Sequence, residues 1–196
     1  MLRKIIASLT AACSFILLGV DAHAVEADTM KLPRVRYFNQ LLAGPMIAKE
    51  PFGLSASTTL VQGVRIGPFS AGVGLGIDAY REWQTIPVST VLTLDVATSD
   101  KLAFYLQMAI GRSSARNPAL DDLADQGWAR FHFDGRGMFN PALGFRIPAG
   151  NWRLYMVAGY KSQRVILTEK YNGGHYTEVK DYKFERFCLQ IGFGIN

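Results

Sequence analysis

The segment AGVGLGIDAY, residues 71–80, alternates between aliphatic and very small side chains. Side chains at every second position of a β-strand point to the same face, so this alternation predicts a strand. One face of that strand would carry Ala71, Val73, Leu75 and Ile77, and the other would carry mainly glycine. Such a strand is expected where bulky apolar groups face one environment and little space is left on the other side.

The same period of two recurs along the chain. The predicted strands cover residues 36–47, 55–66, 69–80, 87–97, 101–111, 137–147, 151–161 and 185–196. Beyond residue 24 no run of about 18 apolar residues occurs, which excludes a helical membrane protein. An even number of antiparallel strands of roughly ten residues is typical of barrels that cross a bilayer. The pattern therefore predicts an all-β protein, an eight-stranded antiparallel up-and-down transmembrane β-barrel.

The predicted links between strands alternate in length. Short links are expected at residues 67–68, 98–100 and 148–150, and long ones at residues 81–85, 112–136 and 167–181. Membrane barrels have short turns on the periplasmic side and longer loops on the outside. We therefore expect the long links to face the exterior.

Aromatic residues on the bulky face gather near the short links. They are Phe69, Phe104, Phe145, Trp152 and Phe193. Aromatic rings at the ends of membrane strands are typical of the bilayer interface, so we expect these five to lie at the periplasmic interface. At the opposite end Tyr160, Trp83 and Trp128 are the candidates.

The opposite parity carries charges and is predicted to face the lumen. These residues are Asp78, Asp95, Arg146, Arg153, Lys161 and Arg186. Unpaired charges in a narrow lumen are costly, so we expect them to form pairs that plug the barrel or to line a narrow path for ions. The glycines would leave room for Tyr105, Tyr155 and Met138. A soluble ligand-binding barrel would reverse the two faces.

Residues 1–24 have the features of a secretory signal peptide. Arg3 and Lys4 precede an apolar stretch, and small residues lie at the expected cleavage site. An uncleaved membrane anchor is the alternative. Residues 25–34 would be a lead-in and residues 35–196 the barrel. The formal charge of +5 falls to about +4 in the mature chain and is dispersed, which does not predict a nucleic-acid partner.

Chemically active motifs are scarce. The sequence predicts no catalytic site, cofactor or metal. The best enzyme candidate is His132, with Asp134, Ser113 and Ser114 nearby, although a solvated histidine is the favoured interpretation. The acidic segment DDLAD lacks the spacing of a calcium loop, so we expect a short solvated helical turn there. Cys188 remains as a single cysteine, which excludes an internal disulfide in the mature chain.

Several segments resemble those of a known family. YFNQLLAG (37–44), GVGLGIDAYREWQTIPV (72–88), GMFNPALGFRI (137–147) and AGYKSQR (158–164) are similar to strands of the small outer-membrane β-barrel proteins of Gram-negative bacteria, most of which lack an assigned function. The resemblance covers most of the mature chain and implies location and fold rather than chemistry. Such barrels commonly end in an aromatic residue that the assembly machinery reads, whereas this chain ends in Asn196, which would shift or weaken that signal.

Together these features predict an outer-membrane protein with a structural or surface-interaction role through its outer loops. Its partners would be membrane lipid, lipopolysaccharide, the outer-membrane assembly machinery and an extracellular ligand that the sequence does not identify. A narrow pore for ions or small solutes is the alternative, and a lipid-modifying enzyme is a third.

Overall fold

The computed structural model describes residues 34–48, 54–125, 129–171 and 177–195. The predicted signal peptide, most of the lead-in, Trp128 and Asn196 lie outside the described residues. The strands are β1 (Val35–Ile47), β2 (Leu54–Ile66), β3 (Phe69–Ala79), β4 (Gln84–Thr98), β5 (Ala103–Arg116), β6 (Ala129–Ala149), β7 (Trp152–Tyr171) and β8 (Thr177–Ile195). One helix, α1 (Pro118–Asp125), lies between β5 and β6 in this part of the chain.

The strands form a closed barrel in chain order. Every strand pairs antiparallel with its sequence neighbour, and β1 pairs with β8 to complete the ring, with Asn39 opposite Ile195 and Met46 opposite Cys188. The side chain of Asn39 also accepts a hydrogen bond from the backbone N–H of Ile195, at 3.2 Å. Closure removes the exposed edges that an open sheet would have. The predicted eight-stranded antiparallel barrel is confirmed.

Tight turns connect the strands at one end, which we call the short-turn end. Residues 67–68 join β2 to β3, residues 99–102 join β4 to β5, and residues 150–151 join β6 to β7. Gly67 and Gly150 have φ angles of 58° and 65°, a backbone conformation that glycine adopts without a steric penalty. In the middle turn, Ser99 Oγ accepts a hydrogen bond from the Leu102 N–H at 3.2 Å.

The outer wall of the barrel carries an apolar band. On β8 the outward residues from Phe187 to Ile195 are all large and apolar, and each is 42–52% exposed. Along the strand this stretch is about 27 Å long. Because barrel strands are tilted, it covers about 20 Å along the membrane normal, close to the height of a lipid-facing band. The outward position before it is Glu185, where the band ends. The barrel therefore has the surface of a transmembrane protein.

Strands β6, β7 and β8 continue well past this band, and here the predicted boundaries were wrong. In the segments expected to be loops, residues 112–116, 129–136, 167–171 and 177–181 are strand. The reason is a reversal of the alternation. Within the band the apolar residues face outward, whereas beyond it Phe133, Leu167 and Phe184 face the interior. Most outward positions there are polar, as at Arg164 and Lys183. The end of the barrel formed by these extensions is called the extended end.

The link between β5 and β6 contains α1, for which the sequence has clear signals. Asn117 precedes the helix, and its side-chain oxygen accepts a hydrogen bond from the Leu120 N–H at 3.4 Å. Pro118 occupies the first helical position, where its missing N–H costs nothing. Leu120 packs against the apolar cluster inside the extended end. No described helix is long and apolar enough to cross a membrane.

Candidate functional site

The lumen contains a buried ion pair near the level where the apolar band ends on β7. Lys161 Nζ donates to Asp78 Oδ1 at 2.7 Å, and the two side chains are 4% and 0% exposed. Gln163 Nε2 donates to the other carboxylate oxygen of Asp78 at 2.7 Å, and the Tyr80 hydroxyl donates to Gln163 Oε1 at 2.8 Å. Thr85 lies within hydrogen-bond distance of both Asp78 and Gln163. The charge of Asp78 is thus compensated inside the barrel by groups from distant parts of the chain.

A second ion pair lies close to the short-turn end. Both terminal nitrogens of Arg146 donate to the carboxylate of Asp95, one of them at 2.9 Å, and the two side chains are buried. Arg153, half-buried, lines the same end together with Arg65. Arg65 was absent from the predicted lumen charges because the alternation on β2 is weak, yet it faces inward and is 7% exposed.

Arg186 is buried near the extended end, with its guanidinium carbon 5.5 Å from the centre of the Tyr80 ring. The structure thus separates the six predicted lumen charges into two groups. Asp95, Arg146 and Arg153 lie near the short-turn end, and Asp78, Lys161 and Arg186 lie toward the extended end. This distribution follows from position along the strands, because the first three residues lie close to the short turns and the other three lie much farther from that end.

Apolar side chains fill the lumen between these two groups of charges. Two clusters, formed by Phe38, Val61, Val91, Ala109 and Met138 and by Leu42, Tyr105, Ala142, Tyr155 and Val157, occupy the middle of the lumen. A cavity of about 20 Å³ remains among the described side chains there, space for about one water molecule. The lumen between the two ion pairs is therefore nearly solid.

The glycines make this packing possible, although differently from what the sequence suggested. A Cβ on Gly74 would meet Ser89 and Val91 of the neighbouring strand, at 2.8 and 3.1 Å. The large Tyr105 ring instead lies against Gly144 of β6, where a Cβ would stand 2.3 Å from the ring. The bare face of β3 therefore accommodates medium-sized neighbours on β4, and a single glycine on β6 accommodates the tyrosine.

A third cluster fills the extended end, which we call the outer core. It consists of Met46, Tyr80, Trp83, Val165, Leu167, Phe184 and Cys188. Trp83 is 5% exposed and lies 4.9 Å from the Tyr182 ring and 5.5 Å from the Phe133 ring, between ring centres. The prediction that Trp83 lies at the outer bilayer interface was therefore wrong. The link at residues 80–83 is a tight turn, closed by a 2.8 Å hydrogen bond from the Tyr80 N–H to the Trp83 carbonyl, and it directs the indole inward.

The five predicted interface aromatics all lie on the outer wall near the short-turn end. Phe69, Phe104, Trp152 and Phe193 are 50–63% exposed, and Phe145 is partly covered. Phe104 and Phe145 are direct cross-strand partners with ring centres 6.2 Å apart, and Trp152 and Phe193 have ring centres 5.8 Å apart. At the other edge of the band, Tyr160 lies opposite Phe187.

The structure does not assemble the enzyme candidate. His132 is exposed on β6, whereas Ser113 is buried and faces the lumen from β5. Among the described residues no hydrogen bond joins His132 to Asp134, Ser113 or Ser114, and Asp134 instead pairs with Arg136 at 3.1 Å. The described residues also contain no cluster of side chains suited to a metal ion. The acidic segment forms part of α1, and its aspartate side chains lie outside the described set.

Comparison with known proteins identifies the architecture. No family model and no curated protein sequence matches the chain. Neisserial surface protein A has a similar structure, with a TM-score of 0.53 and 13% identity over 83% of this chain and 98% of that chain. Outer membrane protein AlkL, solved by solid-state NMR in DMPC lipid bilayers, also has a TM-score of 0.53, with 11% identity over 89% of this chain and 95% of that chain.

The fold is that of the small outer-membrane β-barrels. At identities this low the likeness concerns the fold alone.

Proposed function

We propose that the chain is an integral outer-membrane barrel with a closed lumen, and that its extended end serves a structural or surface-interaction role at the cell exterior. Membrane lipid would surround the part of the apolar band in the inner leaflet of the outer membrane. Lipopolysaccharide would surround the part in the outer leaflet. The main support is the filled lumen, because a barrel that passed solutes would need a continuous polar path through it.

The packing of the lumen leaves little room for such a path. Tyr105 and Tyr155 are 3% and 1% exposed. On the side of these rings toward the extended end, the ion pair of Asp78 and Lys161 fills the lumen. The outer core then covers that ion pair from the outside. A solute would have to displace aromatic rings, a buried ion pair and a second set of aromatic rings in succession.

The extended end resembles a small folded domain on top of the barrel. Its interior is the outer core, and its exterior carries the ion pair of Arg164 with Asp181 between β7 and β8. Lys180 pairs with Glu169, which is buried on the inner side of β7. The Arg164 guanidinium lowers the pKa of Asp181 through hydrogen bonds, and the Glu169 carboxylate raises the pKa of Lys180. A rigid, charged platform of this kind suits contact with other macromolecules better than solute passage.

Conductance in planar bilayers tests the closed lumen. We expect purified wild-type barrel to give no steady unit conductance. A variant with Tyr105, Tyr155 and Met138 all changed to Ala should conduct, because it removes the middle of the packing. A matched control with the lipid-facing residues Leu106 and Leu143 changed to Ala should stay silent. A steady conductance from the wild type would instead favour the narrow-pore alternative.

Cysteine labelling tests the orientation. Val179 is 64% exposed on the extended end, and Lys101 is exposed in a short turn. On intact cells a membrane-impermeant maleimide should label Val179→Cys and not Lys101→Cys, and both should react once the outer membrane is permeabilised. The native Cys188 is buried and should stay unlabelled. Labelling of Lys101→Cys alone on intact cells would contradict the proposed orientation.

Shortening the β7–β8 hairpin separates a structural role from a surface-interaction role. Replacing residues 164–183 by Asn-Gly would join Gln163 to Phe184, which are already cross-strand partners. In cells that lack the protein, a structural role predicts that the shortened barrel restores detergent resistance as well as the wild type does. A surface-interaction role predicts that only the wild type restores attachment of cells to surfaces or to each other. Failure of the wild type to change either property would contradict the proposal.

A further inference from the structure

The short-turn end of the barrel opens into a basin of about 330 Å³. Among the described residues its charged lining consists of Arg36, Arg65, Arg146 and Arg153, with Asp95 as the one carboxylate. The basin is far larger than the cavity in the middle of the lumen, and it is open to solvent. A charge lining this one-sided attracts anions.

Arg65 is held rigidly at this basin. Its Nε donates to Ser70 Oγ at 3.1 Å, and its guanidinium carbon lies 5.6 Å from the centre of the Phe38 ring. The residue is 7% exposed, yet among the described residues no group accepts a hydrogen bond from its two terminal nitrogens. The terminal nitrogens of Arg65 therefore face the basin, where an anion can accept hydrogen bonds from both of them in place of water.

The carboxylate of Asp95 does not compensate Arg65. Both carboxylate oxygens of Asp95 accept hydrogen bonds from Arg146, so that pair is already matched. Arg36 is exposed at the rim and makes no ion pair with any described residue. Arg153 makes a contact of its own. Arg65 and Arg36 therefore supply two positive charges to the basin beyond the Asp95–Arg146 pair.

We propose that this basin binds a phosphate group through Arg65 and Arg36. A guanidinium fork matches the spacing of phosphate oxygens, and a phosphate can accept from two arginines at once. The position at the mouth of the barrel suits either the phosphate of a lipid headgroup in the adjacent leaflet or a soluble phosphate compound. The site lies at the end of the barrel opposite the proposed surface role and is independent of it.

Calorimetric titration of the folded full-length barrel in non-ionic detergent tests the site, with inorganic phosphate as the probe. We expect saturable binding to the wild type. Arg65→Gln should weaken it by about tenfold or more, because a charge-assisted bidentate contact is lost. Arg36→Gln should weaken it by about twofold to fivefold, as expected for an exposed charge. Heat-dependent gel mobility verifies that each variant is folded.

Lys101→Gln is the matched control. Lys101 is exposed at the same end of the barrel but does not line the basin, so its loss changes the net charge equally without touching the site. Binding to this variant should equal that of the wild type. Absence of saturable binding to the wild type, an equal effect of Lys101→Gln and Arg36→Gln, or equally tight binding of acetate would each overturn the proposal. Since Arg36 is exposed, its variant remains informative even if Arg65→Gln fails to fold.

A competition experiment identifies the source of the phosphate. Dihexanoyl phosphatidylglycerol, a short-chain anionic lipid, is added to barrel saturated with inorganic phosphate. Displacement at concentrations below those of phosphate itself supports a lipid headgroup as the ligand. Retention of phosphate supports a soluble phosphate compound. Both results support the phosphate site, and neither depends on conductance or on the surface role.

Discussion

The buried pair of Asp78 and Lys161 allows the sharpest test of the packed lumen. Asp78→Ala would leave the Lys161 ammonium with no carboxylate partner in an environment where both side chains are almost fully buried. Removing one partner of a buried ion pair costs about 3–5 kcal/mol. Lys161→Met, which keeps the length of the side chain, should cost a similar amount because Asp78 then retains only its contacts with Gln163 and Thr85.

The double variant should be much less destabilised than the sum of the two single variants. With both charges removed, no uncompensated charge is buried, and the remaining cost comes from Gln163, which loses an acceptor. We expect a coupling free energy of about 2–3 kcal/mol between the two positions. Equilibrium unfolding in urea with detergent micelles, followed by tryptophan fluorescence, measures it, since Trp83 lies in the outer core above the pair.

The exposed pair of Arg164 and Asp181 provides the control cycle. These side chains are 59% and 42% exposed, so solvent screens their attraction. Arg164→Met combined with Asp181→Ala should give a much smaller coupling than the buried pair, because an exposed ion pair contributes little to stability. If the Asp78–Lys161 coupling proved no larger than that of the exposed pair, the lumen would be hydrated rather than packed, and the closed-lumen argument would be refuted.

Three further predictions follow from the same contacts. Asp95→Ala should lower the unfolding midpoint measurably, because it leaves a buried arginine uncompensated; an unchanged midpoint would contradict the buried pairing. Gly144→Ala should destabilise the barrel by about 1–3 kcal/mol in urea titrations, since its Cβ would stand 2.3 Å from a tyrosine ring. Gly137→Ala, with open space around it, is the control and should match the wild type. Arg164 lowers the pKa of Asp181 below its ordinary value of 3.8, so this contact stabilises the extended end above that pH and is lost as the pH falls through the lowered value. Amide exchange of the β7–β8 extension should therefore quicken on acidification, and Asp181→Asn should reduce the effect.

The lipid-facing band and the number of strands were predictable from the sequence. Within the membrane the outside of the barrel is uniformly apolar, so period-two alternation survives in nearly every strand, from Phe69 in β3 to Ile195 in β8. The inward parity of the six predicted lumen charges was predictable for the same reason. A charged side chain on the alternate parity cannot face hydrocarbon.

The extended end was not predictable in the same way. Above the band the exterior meets water, so the apolar residues move to the inner parity, and a segment such as residues 165–167 carries apolar residues on both parities. Where the apolar residues change from one face of the strand to the other, the period of two is lost, and the sequence pattern predicts a loop. The inward position of Trp83 depends on a tight turn whose hydrogen bond is not visible in the pattern.

By itself the sequence determined which side of each strand faces lipid, because one bulky face and one small or polar face can satisfy a bilayer in a single way. Tertiary structure decided which lumen groups meet. Asp78 and Lys161 come from β3 and β7 and touch across the barrel, and Arg65 lies at the basin with Arg146 from β6. Those encounters depend on the stagger between strands around the closed ring, which is set by closure of β1 on β8 and not by the alternation within any one strand.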